Sequence, residues 1–193
     1  MKKIFALLLA VVMVVGLVAC GNAATTETTA PAAQAFTATP VEAMTNIWDK
    51  FAEDEKFFAF GGDMNNMVEN APGKVDLADT DYLTYTLLVP AEQIANLADA
   101  ASLMHGMLAN NFTCGMFQLA EGADLTAFVE AMKAAVTGNQ WMCGMPETLL
   151  IATFGDSHVL MAFGLNDAVN PLKAHMAEAY PEAAIVVEEA LVG

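Results

Sequence analysis

Residues 149–164 read LLIATFGDSHVLMAFG, two apolar runs separated by Gly155, Asp156 and Ser157. Three residues can close a hairpin but cannot carry a chain across a sheet, so Leu149–Phe154 and His158–Phe163 read as antiparallel neighbours. Upstream, Phe112–Leu119 reads as a strand and EGAD as a turn. Leu125, Phe128, Val129, Met132 and Val136 then form the apolar stripe of a helix that Gly138 ends. Downstream, Asn166 or Asp167 is placed to cap a helix running to about Ala179, Pro181 stops it, and Ala184–Glu189 reads as a final strand. The order β-α-β-β-α-β is the split βαβ arrangement of ferredoxin-like folds. It predicts an α+β domain with an antiparallel sheet, a core over about 112–190, and the helices 125–137 and 167–179 on one face.

The region before this core reads as additions to it. Thr39, Pro40 and Glu42 fit the N-cap, first position and third position of a helix, with Val41, Met44, Ile47, Trp48 and Phe51 as its apolar stripe. Residues 57–81 read mostly as loop, with a short helix around Met64–Glu69. Tyr82–Val89 is rich in Thr, Tyr, Leu and Val and is closed by Pro90, the composition of a strand. Ala91–Leu108 places Ile94, Leu97, Ala98, Ala101, Met104 and Leu108 on one helical face.

The first residues, MKKIFALLLAVVMVVGLVAC, carry a charged start at Lys2 and Lys3 and then an apolar stretch from Ile4 to Val18. This is the form of a secretory signal, and the stretch is short of the roughly 20 residues that cross a membrane as a helix. Leu17-Val18-Ala19-Cys20 resembles the lipobox of bacterial lipoproteins. That resemblance implies cleavage after residue 19, a diacylglyceryl group on the Cys20 sulfur, and an extracytoplasmic domain held at the cell membrane. Residues 21–40, GNAATTETTAPAAQAFTATP, then read as a flexible tether, leaving 41–193 as one domain.

The whole chain has 23 acidic residues against 7 Lys and no Arg, a net charge of −16. Loss of Lys2 and Lys3 with the signal gives 5 − 23 = −18. Nucleic acid and phosphate partners need basic clusters and Arg forks, which this chain lacks.

Four constellations carry possible chemistry. FTCGMF and NQWMCGMP place Cys114, Met116, Cys143 and Met145 as soft ligands suited to copper(I), the basis of a metal-handling alternative in the envelope. The bland reading is that both thiols are free and buried, with Trp141 and Met142 or Met145 packed at the end of the sheet. Phe154-Gly155-Asp156-Ser157 resembles the nucleophile block of GDSL-type esterases, but no Asp-x-x-His follows it. Strand alternation turns His158 away from Ser157, which leaves His175 as the conceivable base of a hydrolase alternative. Asp76, Asp79 and Asp81 lack the glycine and glutamate of an EF-hand calcium loop, and His105 and His175 have no partners at zinc-ligand spacing. The sequence therefore names no catalytic, cofactor or metal set.

The lipobox, the low-complexity tether, ASLMHGMLANNFT and NQWMCGMPETLLIATFGDSHVLMAFG together resemble uncharacterised lipoproteins of clostridia-type Gram-positive bacteria, a family with a domain of unknown function. The resemblance covers most of residues 40 to 190 and implies no activity. The function expected is that of a membrane-anchored binding or interaction module.

Overall fold

A computed structural model describes residues 35 to 191; the expected signal segment, Cys20 and most of the tether lie outside the described residues. In chain order the elements are helix α1 (Pro40–Trp48), strands β1 (Ala59–Gly61), β2 (Val68–Glu69), β3 (Gly73–Lys74), β4 (Leu97–His105) and β5 (Phe112–Leu119), helix α2 (Leu125–Thr137), strands β6 (Thr148–Phe154) and β7 (His158–Gly164), helix α3 (Asn166–Ala179) and strand β8 (Ala184–Ala190). The eight strands form one sheet in the order β2-β1-β4-β5-β7-β6-β8, with β3 also on β4. Every pairing is antiparallel. The protein is thus α+β, and the hairpin pairs from Thr148↔Gly164 to Phe154↔His158.

Three segments of the first half fold otherwise than their patterns suggest. Leu97–His105 is a strand, not the body of a helix. It lies inside the sheet, where Ala100, Ala101, Ser102 and Leu103 are all buried. Ala101 and Leu103 face one apolar cluster and Ala100 the other, so the strand has no polar side and its Ala, Leu and Met residues imitate a helical stripe. Tyr82–Thr86 is a single turn of π-helix, not a strand, and Ala91–Asn96 is a 3₁₀ turn. Asp79 starts the π turn, accepting the Tyr82 N–H on its side chain at 3.0 Å. Met64–Glu69 is likewise no helix but the loop and second strand of a small hairpin.

The two helices of the second half lie on opposite faces of the sheet, which overturns the one-faced ferredoxin-like layout. The reason is topological. The chain leaves β5, passes α2 and returns as β6 two places along; it leaves β7, passes α3 and returns as β8 two places along in the same direction. Both links join parallel strands, and such crossovers are right-handed in about 98% of cases. Because β5 and β7 run antiparallel, two right-handed links shifting the same way must cross opposite faces. In a ferredoxin-like sheet the last strand would return beside β5, but here β4 holds that edge.

Packing agrees with this topology. Phe128, Val129, Met132 and Val136 of α2 join Phe117, Leu149, Ile151, Val159, Met161 and Phe163 on one face. Val169, Leu172 and Met176 of α3 join α1, Cys114, Leu150, Ala152, Leu160 and Ala162 on the other. Successive residues of β8 point to opposite faces, and Glu188 pairs with Lys173 of α3 at 2.6 Å while Glu189 pairs with Lys133 of α2 at 2.8 Å.

The caps follow local chemistry. The expected box at α1 forms, Thr39 Oγ1 accepting the Glu42 N–H at 3.3 Å and Glu42 Oε2 accepting the Thr39 N–H at 2.9 Å. At α3 the N-cap residue is Leu165, and the exposed donor is met from outside the helix: Asn166 N donates to Glu147 Oε2 at 2.8 Å. Neither Asn166 nor Asp167 caps its own helix.

Candidate functional site

The sheet has two ends of different character. At one lie the Gly155–Ser157 turn, the residues between α3 and β8, and Ala35–Ala38, where the described chain begins. At the other lie the β4–β5 loop, residues 106–111, and the α2–β6 loop, residues 138–147. The seven residues of β7 run between them, a span of roughly 20 Å.

At the first end Phe36 sits in an aromatic socket. Its ring lies 5.1 Å from Phe154, 4.9 Å from His158 and 5.3 Å from Tyr180, centroid to centroid. Tyr180 is fixed from behind, its hydroxyl accepting the Asn46 side-chain N–H at 2.8 Å. Fully burying a Phe ring stabilises by about 1.5–3 kcal/mol, of which the half-buried Phe36 gains part, and each aromatic pair adds about 0.5–1.5 kcal/mol. Ordering a residue costs about 1–2 kcal/mol, so docking of this short segment is a near balance.

The Ser157 hydroxyl and His158 Nδ1 lie 3.0 Å apart, contrary to the alternation argument, because Ser157 belongs to the turn and not to the strand. His158 is 1% exposed, and its Nε2 has no hydrogen-bond partner among the described residues. Burial pushes its pKa down against the opposing pull of Asp156 and Asp99. A serine nucleophile needs its base oriented by a third group, and no carboxylate bonds this imidazole among the described residues. His175 does not approach Ser157; its Nε2 pairs with Glu55 Oε2 at 2.8 Å and its Nδ1 lies 3.6 Å from Glu178 Oε2.

The second end is a platform of exposed apolar side chains. Phe58 is 46% exposed, Met107 84% and Met142 78%. They stand on loops that contact one another. Gly106 N donates to Phe58 O at 2.7 Å, and a Cβ on Gly106 would lie 2.5 Å from the Phe58 ring, so a side chain there would displace the ring from its place against the loop. Asn110 Nδ2 donates to the carbonyls of Met142 and Gly144, each at 2.8 Å. That clamp holds Cys143 at φ +62°, its side chain exposed. Trp141 packs on Phe163 at 5.0 Å, as expected for a residue closing the end of the sheet. It also lines an open groove of about 420 Å³ with Thr137, Asn139, Met145, Glu189 and Leu191.

Away from this end, the loop between β1 and β2 is held by one carboxylate. Asp63 is 1% exposed and accepts N–H groups from Asn65 at 2.8 Å, Asn66 at 3.0 Å and Asp76 at 2.7 Å, besides the Asn66 side chain. Burial alone would raise its pKa, but the donors of Asp76, Asn66 and Asn65 outweigh it and hold the carboxyl below its usual range. Met64, Met67 and Val68 are exposed on the loop it braces.

The soft-ligand set is not assembled. Cys114 and Met116 are fully buried on the α1 and α3 face, whereas Cys143 is exposed, correcting the expectation that both thiols are covered. Burial pushes the Cys114 thiol pKa far up, so it is an inert core residue. His105 stacks on Phe57 at 5.1 Å and accepts the Met107 N–H on Nδ1 at 3.1 Å. Asp76 and Asp79 accept backbone N–H groups of Ala78 and Tyr82. Among the described residues no group of three or more His, Cys, Asp or Glu is placed to hold a metal ion.

Phe58 lies in a segment read as loop and Met107 in one read as helix, so the platform was not legible as a unit; the adjoining NQWMCGMP stretch was its one visible part. No protein-family model, curated protein or solved structure matches the chain.

Proposed function

We propose that this chain is a lipid-anchored, extracytoplasmic interaction module that presents its Phe58, Met107 and Met142 end to a partner away from the membrane. One observation carries the reading: Phe36, on the segment that leads into the domain, packs at one end of the sheet, and the exposed apolar platform lies at the other. A tether fixed at Cys20 would hold the first end toward the lipid and leave the platform free. Exposed apolar side chains in a group mark interaction sites, and Met adapts to varied partner shapes. With a charge of 5 − 23 = −18 after signal removal, the partner that fits is a basic, amphipathic polypeptide segment.

The test places a photo-crosslinking residue at 107 or at 182 in cells that export the chain. The reading expects protein adducts from 107 and lipid adducts from 182. Protein adducts from 182 alone would contradict it.

A second reading, envelope handling of copper(I), has one observation in its favour: Met142 and Cys143 expose adjacent soft donors. Competition titration with copper(I) separates the two. Tight stoichiometric binding lost in Cys143→Ala would favour metal handling.

A further inference from the structure

We propose that the socket of Phe154, His158 and Tyr180 is an exchangeable binding site for a phenylalanine on an extended, uncharged segment, filled here by Phe36 of the same chain and open to the Phe36 segment of a second copy. The walls belong to the folded domain. Phe154 ends β6, His158 begins β7, and Tyr180 closes α3 with its hydroxyl bonded to Asn46. Tyr180 and Phe154 also meet each other edge-on at 5.5 Å, so the socket keeps its shape without its occupant.

The occupant is attached by little else. Phe36 is the one large apolar side chain in residues 21–40. Ala35 and Thr37 on either side are exposed, and no hydrogen bond joins the backbone of Ala35–Ala38 to other described residues. An open groove of about 660 Å³ beside the ring, lined by Ala35, Thr37, Ala38, Gly155, Tyr180 and Glu182, leaves room for a segment's backbone. Between the ring and the Thr39 cap the chain adds one small contact, the half-buried Ala38 on the same core cluster. A segment held by one ring and one alanine methyl, with no backbone hydrogen bond to its site, can leave and return. Identical copies offer identical sites, so what leaves one socket fits another, the low-cost route by which protomers exchange elements.

The test uses two full-length variants and a peptide of residues 33–41, AQAFTATPV. Phe36→Ala vacates the socket, and the labelled peptide should bind this chain at least about tenfold tighter than wild type, whose own Phe36 competes. The same peptide with Phe36→Ala should show no saturable binding. Tyr180→Ala breaks the socket but keeps Phe36, so a mixture of the Phe36→Ala and Tyr180→Ala chains should associate by light scattering while neither does so alone. Equal binding to wild type and Phe36→Ala, or no binding by a natively folded Phe36→Ala chain, overturns the site. A Phe36→Ala chain that is unfolded overturns it too, since Phe36 would then be a core residue. Peptide binding without association of the mixed variants overturns exchange between copies.

Discussion

Asn110 holds Met142 from the neighbouring loop, donating from one side-chain amide nitrogen to the Met142 and Gly144 carbonyls at 2.8 Å each. The two bonds tie the β4–β5 loop to the α2–β6 loop and fix the exposed Met142 and Cys143 between them. Asn110→Ala should cost about 1–2 kcal/mol, since each net hydrogen bond contributes about 0.5–1.5 kcal/mol. The sharper expectation is local. Hydrogen exchange at residues 141–146 should quicken while β5, β6 and β7 keep their protection, and uniform loosening of the sheet would show that the clamp is not confined to the loops.

Asp63 makes the hairpin flank acid-sensitive. Its folded pKa is depressed, so its stabilisation is fully present above the unfolded value of about 3.9 and is lost as pH falls through the lower folded value. Glu42, held down by the Thr39 N–H, changes in the same sense, so the difference between wild type and a variant is what isolates Asp63. Asp63→Asn turns one acceptor into a donor facing N–H groups and should cost about 2 kcal/mol at neutral pH. In urea titrations the gap between the two proteins should be widest near pH 7 and narrow below about pH 4. A gap that stays constant to pH 2.5 would remove the carboxylate's role.

The two thiols of the domain should differ sharply. Cys143 should react with a maleimide in the native protein, whereas Cys114, buried with its thiol pKa raised, should react only in denaturant. Peptide mapping after native and denatured labelling decides it. Native labelling of Cys114 at a comparable rate would mean that the α1 and α3 layer opens readily, against its complete burial.

What the sequence showed and hid divides along sequence locality. The hairpin at Gly155–Ser157, the α1 cap box and the α2 stripe rest on contacts a few residues apart, and each forms as read. Leu97–His105 pairs with β5, which follows it, but its other edge depends on β1 and β3 well upstream, and burial on both faces erased the alternation that marks a strand. That one segment accounts for the larger difference. Once it occupies the edge of β5, β8 must pair with β6, and right-handed crossovers then put α2 and α3 on opposite faces. The platform was hidden for the same reason, because Phe58, Met107 and Met142 lie on separate segments that this topology brings to one end. NQWMCGMP was legible as unusual, but its role turned on exposure: Cys143 and Met142 face solvent, while its partner phrase at Cys114 is core.

The central claim is one of orientation, with the Phe36 end toward the membrane and the Met107 end away from it. Energy transfer from a donor fluorophore at 107 or at 182 to an acceptor on lipid headgroups, in vesicles carrying the lipid-modified chain, tests it directly. If the stretch before Phe36 acts as the flexible tether its composition suggests, its reach would be roughly 20 Å, and the sheet adds a comparable span before position 107. The account predicts strong transfer from 182 and weak transfer from 107, and Phe36→Ala should reduce the difference by freeing the domain to tumble. Equal transfer from the two positions in the wild-type chain, or stronger transfer from 107, would contradict it.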